Sequence, residues 1–347
     1  MAMNTRTPRD GQSPAGSASQ TGHIPRVLLL GATGTIGRAT YEALRDTGHE
    51  VVCLVRGVPT RDETATRRLL GARDTLFVSL EDAEAVQSTI RHAGPFSAVV
   101  SCLASRTGVP GDAWAVDYQA HMNVLAAARA SGIPQMILLS AICVQKPRLA
   151  FQHAKLAFEA ALADSGLDYV IVRPTAFFKS LSGQIERLRA GKPFLLFGDG
   201  TLTACKPISD RDLARFLVDC MHDPARSRRI LPIGGPGPAI TPRAQGEMLH
   251  RLLGRAPRFR SVTPKLLDLM AALLGLCAKL LPRFAHYAEL ARIGHYYATE
   301  SMLVWDETHR RYDADATPST GSDTLLEHYR SVLDGTSTAE RGDHAVF

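Results

Sequence analysis

The chain is poor in the features that would tie it to an oxidising compartment, to nucleic acid or to the interior of a bilayer. Its six cysteines (Cys53, Cys102, Cys143, Cys205, Cys220 and Cys277) include no Cys-x-x-Cys pair, which argues against a disulfide frame and against a zinc site. Reduced, buried thiols in a cytoplasmic setting are the expectation. Residues 1–23 are rich in Ser, Gly, Thr, Pro and Asn and lack an apolar central stretch, so they read as a disordered tail rather than a secretory signal. No basic block interleaved with aromatics occurs, and no nucleic-acid partner is expected. The net charge of +6 comes mostly from dispersed arginines and suits acidic ligands. Apolar runs of bilayer-spanning length are missing as well. The nearest, residues 266–281, is interrupted by Asp268 and Lys279 and falls short of a hydrocarbon core of roughly 30 Å. It reads as a buried or interfacial helix, either a wall for an apolar substrate or a site of peripheral membrane contact.

What is present is alternation. Apolar strand-like runs at 27–30, 50–56, 75–79, 98–102, 135–140 and 169–172 are separated by helix-like stretches at 36–47, 82–92, 114–130 and 150–164. That rhythm predicts an α/β fold, a doubly wound parallel Rossmann sheet. After Pro174 the character shifts to short segments, Gly/Pro turns and amphipathic helices. The expected division is a dinucleotide-binding domain over 24–175 and a smaller C-terminal substrate-binding portion over 176–331. A second disordered tail is expected over 332–347.

Gly31-Ala32-Thr33-Gly34-Thr35-Ile36-Gly37-Arg38 follows the first strand and opens the first helix. Glycines let the backbone approach a pyrophosphate, and the helix N-terminus offers free N–H groups and positive potential. Gly31, Thr33, Gly34, Thr35, Ile36, Gly37 and Arg38 are therefore candidate cofactor-binding residues. NAD binders usually close the second strand with an acid for the ribose 2′-hydroxyl. This strand closes with Arg56. Arg56 and Arg38 suit a 2′-phosphate, because guanidinium forks bind phosphate bidentately, and the expected cofactor is NADPH.

Within 150–164 the residues Phe151, Ala154, Phe158, Ala161 and Leu162 keep the spacing of a buried helical stripe, and Lys155 falls inside it. An inward lysine needs a partner or a task. Lys155 is the candidate catalytic residue, set on the nicotinamide ribose. Many short-chain reductases carry Tyr-x-x-x-Lys here, and Phe151 stands in the tyrosine's place. Without a phenol to protonate an alkoxide, ordinary ketone reduction is poorly supported. Reduction of a conjugated C=C bond is different, since an extended π-system can hold the charge. His153 is a weaker candidate proton donor. Arg173, Lys179 and Arg211 are candidate cations for substrate carboxylates, although Asp210 and Asp212 are natural partners for Arg211. His295, Tyr296 and Tyr297 could flank a planar ligand, with aromatic packing as the favoured use.

The glycine turn, FQHAKLAFEAAL, VIVRPTAFFKSLSGQIERLRAGKPFLLFGDG and CKPISDRDLARFL together resemble the NADPH-dependent divinyl chlorophyllide a 8-vinyl reductases, an atypical branch of the extended short-chain dehydrogenases. The resemblance spans roughly residues 25–330. It implies hydride transfer to the 8-vinyl group of a Mg-tetrapyrrole, divinyl chlorophyllide or protochlorophyllide, in chlorophyll or bacteriochlorophyll synthesis. Magnesium would arrive with the substrate, so no protein metal site is implied. Two alternatives stay open: an NADP(H)-binding regulator or assembly factor without turnover, and a reductase of phenylpropanoid-like compounds.

Overall fold

A computed structural model describes residues 24–57, 62–70, 75–281 and 284–336. The proposed tail over 1–23 lies outside the described residues. Six strands arrive in the expected order: β1 (Arg26–Leu30), β2 (Glu50–Arg56), β3 (Thr75–Val78), β4 (Ala98–Ser101), β5 (Gln135–Leu139) and β6 (Asp168–Pro174). Next comes β7 (Phe194–Phe197), followed by β8 (Arg229–Ile233) and β9 (Phe259–Val262). The main sheet is parallel throughout, in the order β3-β2-β1-β4-β5-β6-β8. Strand order reverses direction between β1 and β4, and that switch point opens a crevice at the carboxyl ends of the strands.

Both sheet faces are covered, so the central strands are apolar without alternation. Val27, Leu29, Cys53, Val55, Val100, Ile137 and Val172 face one buried cluster; Leu28, Leu30, Val52, Val99, Met136, Leu138 and Ile171 face the other. At roughly 1.5–3 kcal/mol for each large apolar side chain, these two layers dominate the stability of the fold.

The boundary expected at residue 175 does not separate the sheet from the rest. β8 pairs with β6 from Val170↔Arg229 to Pro174↔Ile233, so the chain returns to complete the sheet after leaving it. A separate core forms from Phe178, Ile185, Leu188, Phe194, Leu196, Leu249, Leu325, Tyr329 and Val332, beside the small parallel pair β7–β9. The tail expected from 332 begins inside the helix Leu325–Leu333, where Val332 is buried; residues 337–347 lie outside the described set.

Two helices of the C-terminal portion, Pro264–Leu280 and Phe284–Thr299, pack on each other. The second also covers Phe151 through Ile293 and Tyr296. The first leaves much of its apolar surface exposed. No described helix is long and apolar enough to cross a membrane. All six cysteines are free thiols, but Cys277 on this helix is exposed, contrary to the expectation that all are buried.

Candidate active site

Gly31 leaves β1 at φ +75°, and a Cβ there would lie 2.5 Å from the backbone of Cys102. A Cβ on Gly37 would lie 2.0 Å from the Gly31 carbonyl oxygen. Only glycine permits this closeness of turn, helix and the loop after β4. Gly34, by contrast, is exposed and caps the helix Thr35–Asp46 with no side-chain bond, and that helix has no acid in its first turn. Ile36 is buried beneath the turn, and Thr33, Thr35 and Arg38 are half-buried around it. The result is a backbone cradle, closed below by glycine packing and open above to an anion, and it fits a dinucleotide diphosphate. Arg56 ends β2 on the same carboxyl edge, half-buried, two residues past the Leu30↔Leu54 pair.

Lys155 is inward-facing, as its stripe predicts, with a side chain 12% exposed. Its partner was not anticipated. Nζ lies 2.9 Å from Oδ1 of Asp117, whose side chain has no exposure at all. The same oxygen accepts the backbone N–H of Ser105 at 3.1 Å. Burial works to raise the Asp117 pKa, but the Lys155 charge and the hydrogen bonds from Ser105 and Lys155 outweigh it, and the net shift is downward. The carboxylate is ionised at neutral pH and holds the ammonium in place.

Asp117 sits in a π-helical stretch, Ala113–Ala120, that runs into the α-helix His121–Ala130. The sequence led us to expect one regular helix over 114–130. Wider i→i+5 turns recur at functional sites. The nearby His121 is wholly buried: Nδ1 donates to the Val116 carbonyl at 2.9 Å and Nε2 accepts from Ser101 Oγ at 2.8 Å. Burial and the Lys155 charge push its pKa down to about 4, so it is a neutral structural imidazole.

The loop after β4 joins the two halves of the site. Gly31 packs on Cys102 and Leu103 of that loop, and three residues later Ser105 holds Asp117. Phe151, 8% exposed, lies among Ala113, Cys143, Leu149, Ala154, Ile293 and Tyr296, an apolar wall with no phenolic acid at that position. Gln152 secures the start of the Lys155 helix, accepting the N–H of Leu149 at 3.0 Å and donating to the Cys143 carbonyl at 3.0 Å.

Other expectations fail. His153 is exposed on the outer face of the helix, away from Lys155's pocket. Arg173 is committed to the buried Glu159, donating from Nε at 3.2 Å to each carboxylate oxygen, so it is a structural ion pair rather than a substrate cation. Arg211 pairs with Asp323, not with Asp210 or Asp212. Lys179 turns back to the glycine turn, its Nζ 2.9 Å from Thr35 Oγ1. His295 pairs with Asp268 at 3.2 Å, and Tyr296 donates to the Cys143 carbonyl at 2.8 Å. Tyr297 packs edge-on against Tyr296 and keeps part of its ring exposed, with its hydroxyl 4.0 Å from the Cys143 sulfur. Among the described residues no group of three or more His, Cys, Asp or Glu is arranged to hold a metal ion.

The sequence shows Asp117 only as a single acid in the stretch Ala113–Ala120, with no sign that it meets Lys155.

A family model described as NAD(P)H-binding matches residues 31–224. The chain is 47% identical over 332 residues to the chloroplastic divinyl chlorophyllide a 8-vinyl-reductase of Oryza sativa subsp. indica, covering 92% of this chain and 82% of that one. It is 28% identical over 225 residues to the photosystem II assembly factor Ycf39 of Synechocystis sp., covering 60% and 62%. Among solved structures, the NADPH-dependent quinone oxidoreductase QOR2 of Escherichia coli, complexed with NADPH, superposes with a TM-score of 0.62 at 18% identity, covering 88% of this chain and 99% of that one. That last likeness establishes the fold alone. With nearly its whole length matched at this identity, on a cradle and a lysine helix in place, the chain belongs to the divinyl chlorophyllide a 8-vinyl-reductase family of NAD(P)H-binding proteins.

Proposed function

We propose that this chain reduces the 8-vinyl group of divinyl chlorophyllide, or of a related Mg-tetrapyrrole, to an ethyl group with NADPH. The observation that carries the reading is the Lys155–Asp117 pair beside Phe151: the cation of a reductase is retained and locked, while the phenolic acid is absent. Bound NADPH supplies the hydride. Gly31, Thr33, Gly34, Thr35, Ile36, Gly37 and Arg38 hold its diphosphate end, Arg56 its 2′-phosphate, and Lys155 its nicotinamide ribose. Asp117 keeps Lys155 aimed. Hydride on one vinyl carbon and a proton on the other saturate the bond, and the conjugated macrocycle carries the charge between the two events. A phenol is not needed for that sequence, because no alkoxide forms.

The substrate is held by the C-terminal portion, 176–331, whose helix Phe284–Thr299 already covers Phe151. The apolar outer face of Pro264–Leu280 is the contact with a membrane surface from which a lipophilic pigment arrives. Leu266, Leu269, Leu273 and Leu276 are between 45% and 61% exposed at helical spacing, with Lys265 and Lys279 at either end. The relative from rice is chloroplastic. The assembly-factor alternative is disfavoured, since that likeness covers 60% of the chain against 92% for the reductase.

The test is to mix purified protein with divinyl chlorophyllide and NADPH, then follow pigments by chromatography and the Soret band. Monovinyl pigment formed one-to-one with NADPH oxidised is the expected result. Tight NADPH binding with neither divinyl chlorophyllide nor divinyl protochlorophyllide converted would overturn the assignment.

A further inference from the structure

Saturating a vinyl group takes a proton as well as a hydride, and with Phe151 at its start the lysine helix Ala150–Ala163 has no phenol to give one. The groups around Phe151 narrow the source. Lys155 is held by Asp117, and His153 lies on the outer face of its helix. Tyr296 donates its hydroxyl to the carbonyls of Cys143 and Lys146, at 2.8 and 3.1 Å. Tyr118 packs edge-on against the exposed Trp114, with ring centroids 5.5 Å apart. Tyr297 differs from all of these. Its ring is 38% exposed, yet its hydroxyl is turned to the sulfur of Cys143, a residue only 2% exposed. A tyrosine at a surface usually buries its ring and shows its tip to water; this one reverses the order. A thiol is also a weak hydrogen-bond partner, so the O–H is held in place without being spent.

Cys143 fixes where that hydroxyl stands. Its carbonyl accepts from Gln152 at 3.0 Å, three residues before Lys155, and from Tyr296, the residue next to Tyr297 on the helix Phe284–Thr299. One peptide group thus locks the lysine helix and the tyrosine helix to each other. Ile293, one turn before Tyr297, joins Phe151 and Cys143 in the same buried cluster. The Lys155 charge is felt at the Cys143 thiol, where it opposes the rise in pKa that burial imposes. We propose that Tyr297 is the proton donor of the reduction, supplied from the C-terminal portion in place of the phenol missing at position 151. The inference rests on the reductase reading. A hydride, with its electron pair, passes from NADPH to one vinyl carbon; the Tyr297 O–H bond then breaks and a C–H bond forms at the other carbon. The phenolate regains its proton from water. Burial holds the hydroxyl's pKa well above the usual 10, so the proton is in place across the neutral range.

Tyr297→Phe keeps the ring and deletes the oxygen. Steady-state reduction of divinyl chlorophyllide by the full chain should show kcat lowered about 100- to 10,000-fold, the range for a positioned general acid, with KM and NADPH affinity within a few-fold of the parent. Tyr297→Leu, which removes the ring as well, should also raise KM. Tyr118→Phe should turn over like the parent. Cys143→Ala keeps the carbonyl and the donor but removes the hydroxyl's thiol contact, and its kcat should stay within about tenfold. A Phe variant with parent-like kcat, or one whose loss lies in KM alone, would make Tyr297 a wall for the pigment and overturn the proposal. A loss in Cys143→Ala as large as in Tyr297→Phe would overturn it too, by showing that the contact matters and the proton does not. So would a loss of kcat that appears in Tyr118→Phe instead. A parent protein that binds NADPH but converts neither divinyl pigment would defeat the reductase reading itself, whatever the variants do.

Discussion

Removing Lys155 tests two ideas at once, and the structure gives the means of separating them. The Asp117 carboxylate has no exposed side-chain surface, and without Lys155 its charge is met by the neutral hydrogen bonds of Ser105. Breaking one side of a buried ion pair costs about 3–5 kcal/mol, a large share of the 5–15 kcal/mol that holds an ordinary domain. Lys155→Met should therefore lose both turnover and much of its stability, and lost activity alone would prove nothing about chemistry. The double variant Lys155→Met/Asp117→Asn removes the orphaned charge while its amide oxygen still accepts from Ser105. It should regain about 2–3 kcal/mol over the single variant, the size expected for coupled neighbours. Urea unfolding gives the stabilities, and single-turnover reduction of divinyl chlorophyllide gives the chemistry. The expected pattern is recovered stability with turnover still down by orders of magnitude. If the double variant turns over within about tenfold of the parent, Lys155 is only a structural ion. If the single variant unfolds at the parent's midpoint, the burial argument itself is wrong.

The pH dependence of stability should carry a signature of His121. Its folded pKa of about 4 lies below the ordinary 6.5, so the unfolded chain takes up the proton first, and stability falls as pH drops from 6.5 towards 4. That gap is worth about 3 kcal/mol, which the His121→Gln variant should not lose; parallel urea profiles for the two proteins would refute it. Asp117, with its folded pKa lowered, adds acid sensitivity only below the usual carboxylate range near 3.9. Arg56→Glu should weaken NADPH by about 100-fold and NADH only slightly, since it replaces a charged partner of the 2′-phosphate with a repulsive one. Equal weakening of both would end that assignment. Leu269→Glu/Leu273→Glu/Leu276→Glu should abolish co-flotation with anionic lipid vesicles while leaving NADPH affinity unchanged. A parent protein that stays unbound would remove the membrane contact.

Local signals were legible where one element supplied them. β2 was bounded at 50–56 from its apolar run alone, and the glycine turn announced itself through three residues of one type at fixed spacing. The inward lysine was readable from helical periodicity. What depended on distant partners was not. Asp117 lies 38 positions from Lys155, and nothing in its own neighbourhood says that they meet. Arg173 looked available because Glu159 sits on a different element. β8, RILPI, was missed because a proline and half-exposed residues disguise an edge strand, a place where a missing N–H is tolerated. The π-helical stretch is invisible to a search for 3.6-residue periodicity.

That stretch constrains the family in a way that residue identity does not capture. A helix with wider turns spends extra residues to advance one revolution, so everything after it is rotated relative to a regular helix of the same length. Asp117 lies within the wide turns, and His121 begins the regular ones immediately downstream. Deleting any one residue between 113 and 116 would let the backbone relax to ordinary i→i+4 bonding and swing the carboxylate around the axis, away from Lys155. The site is thus protected by chain length as well as chemistry. A homologue could exchange many side chains here and keep the ion pair, yet lose it through a single in-frame codon deletion that leaves both charged residues in the sequence.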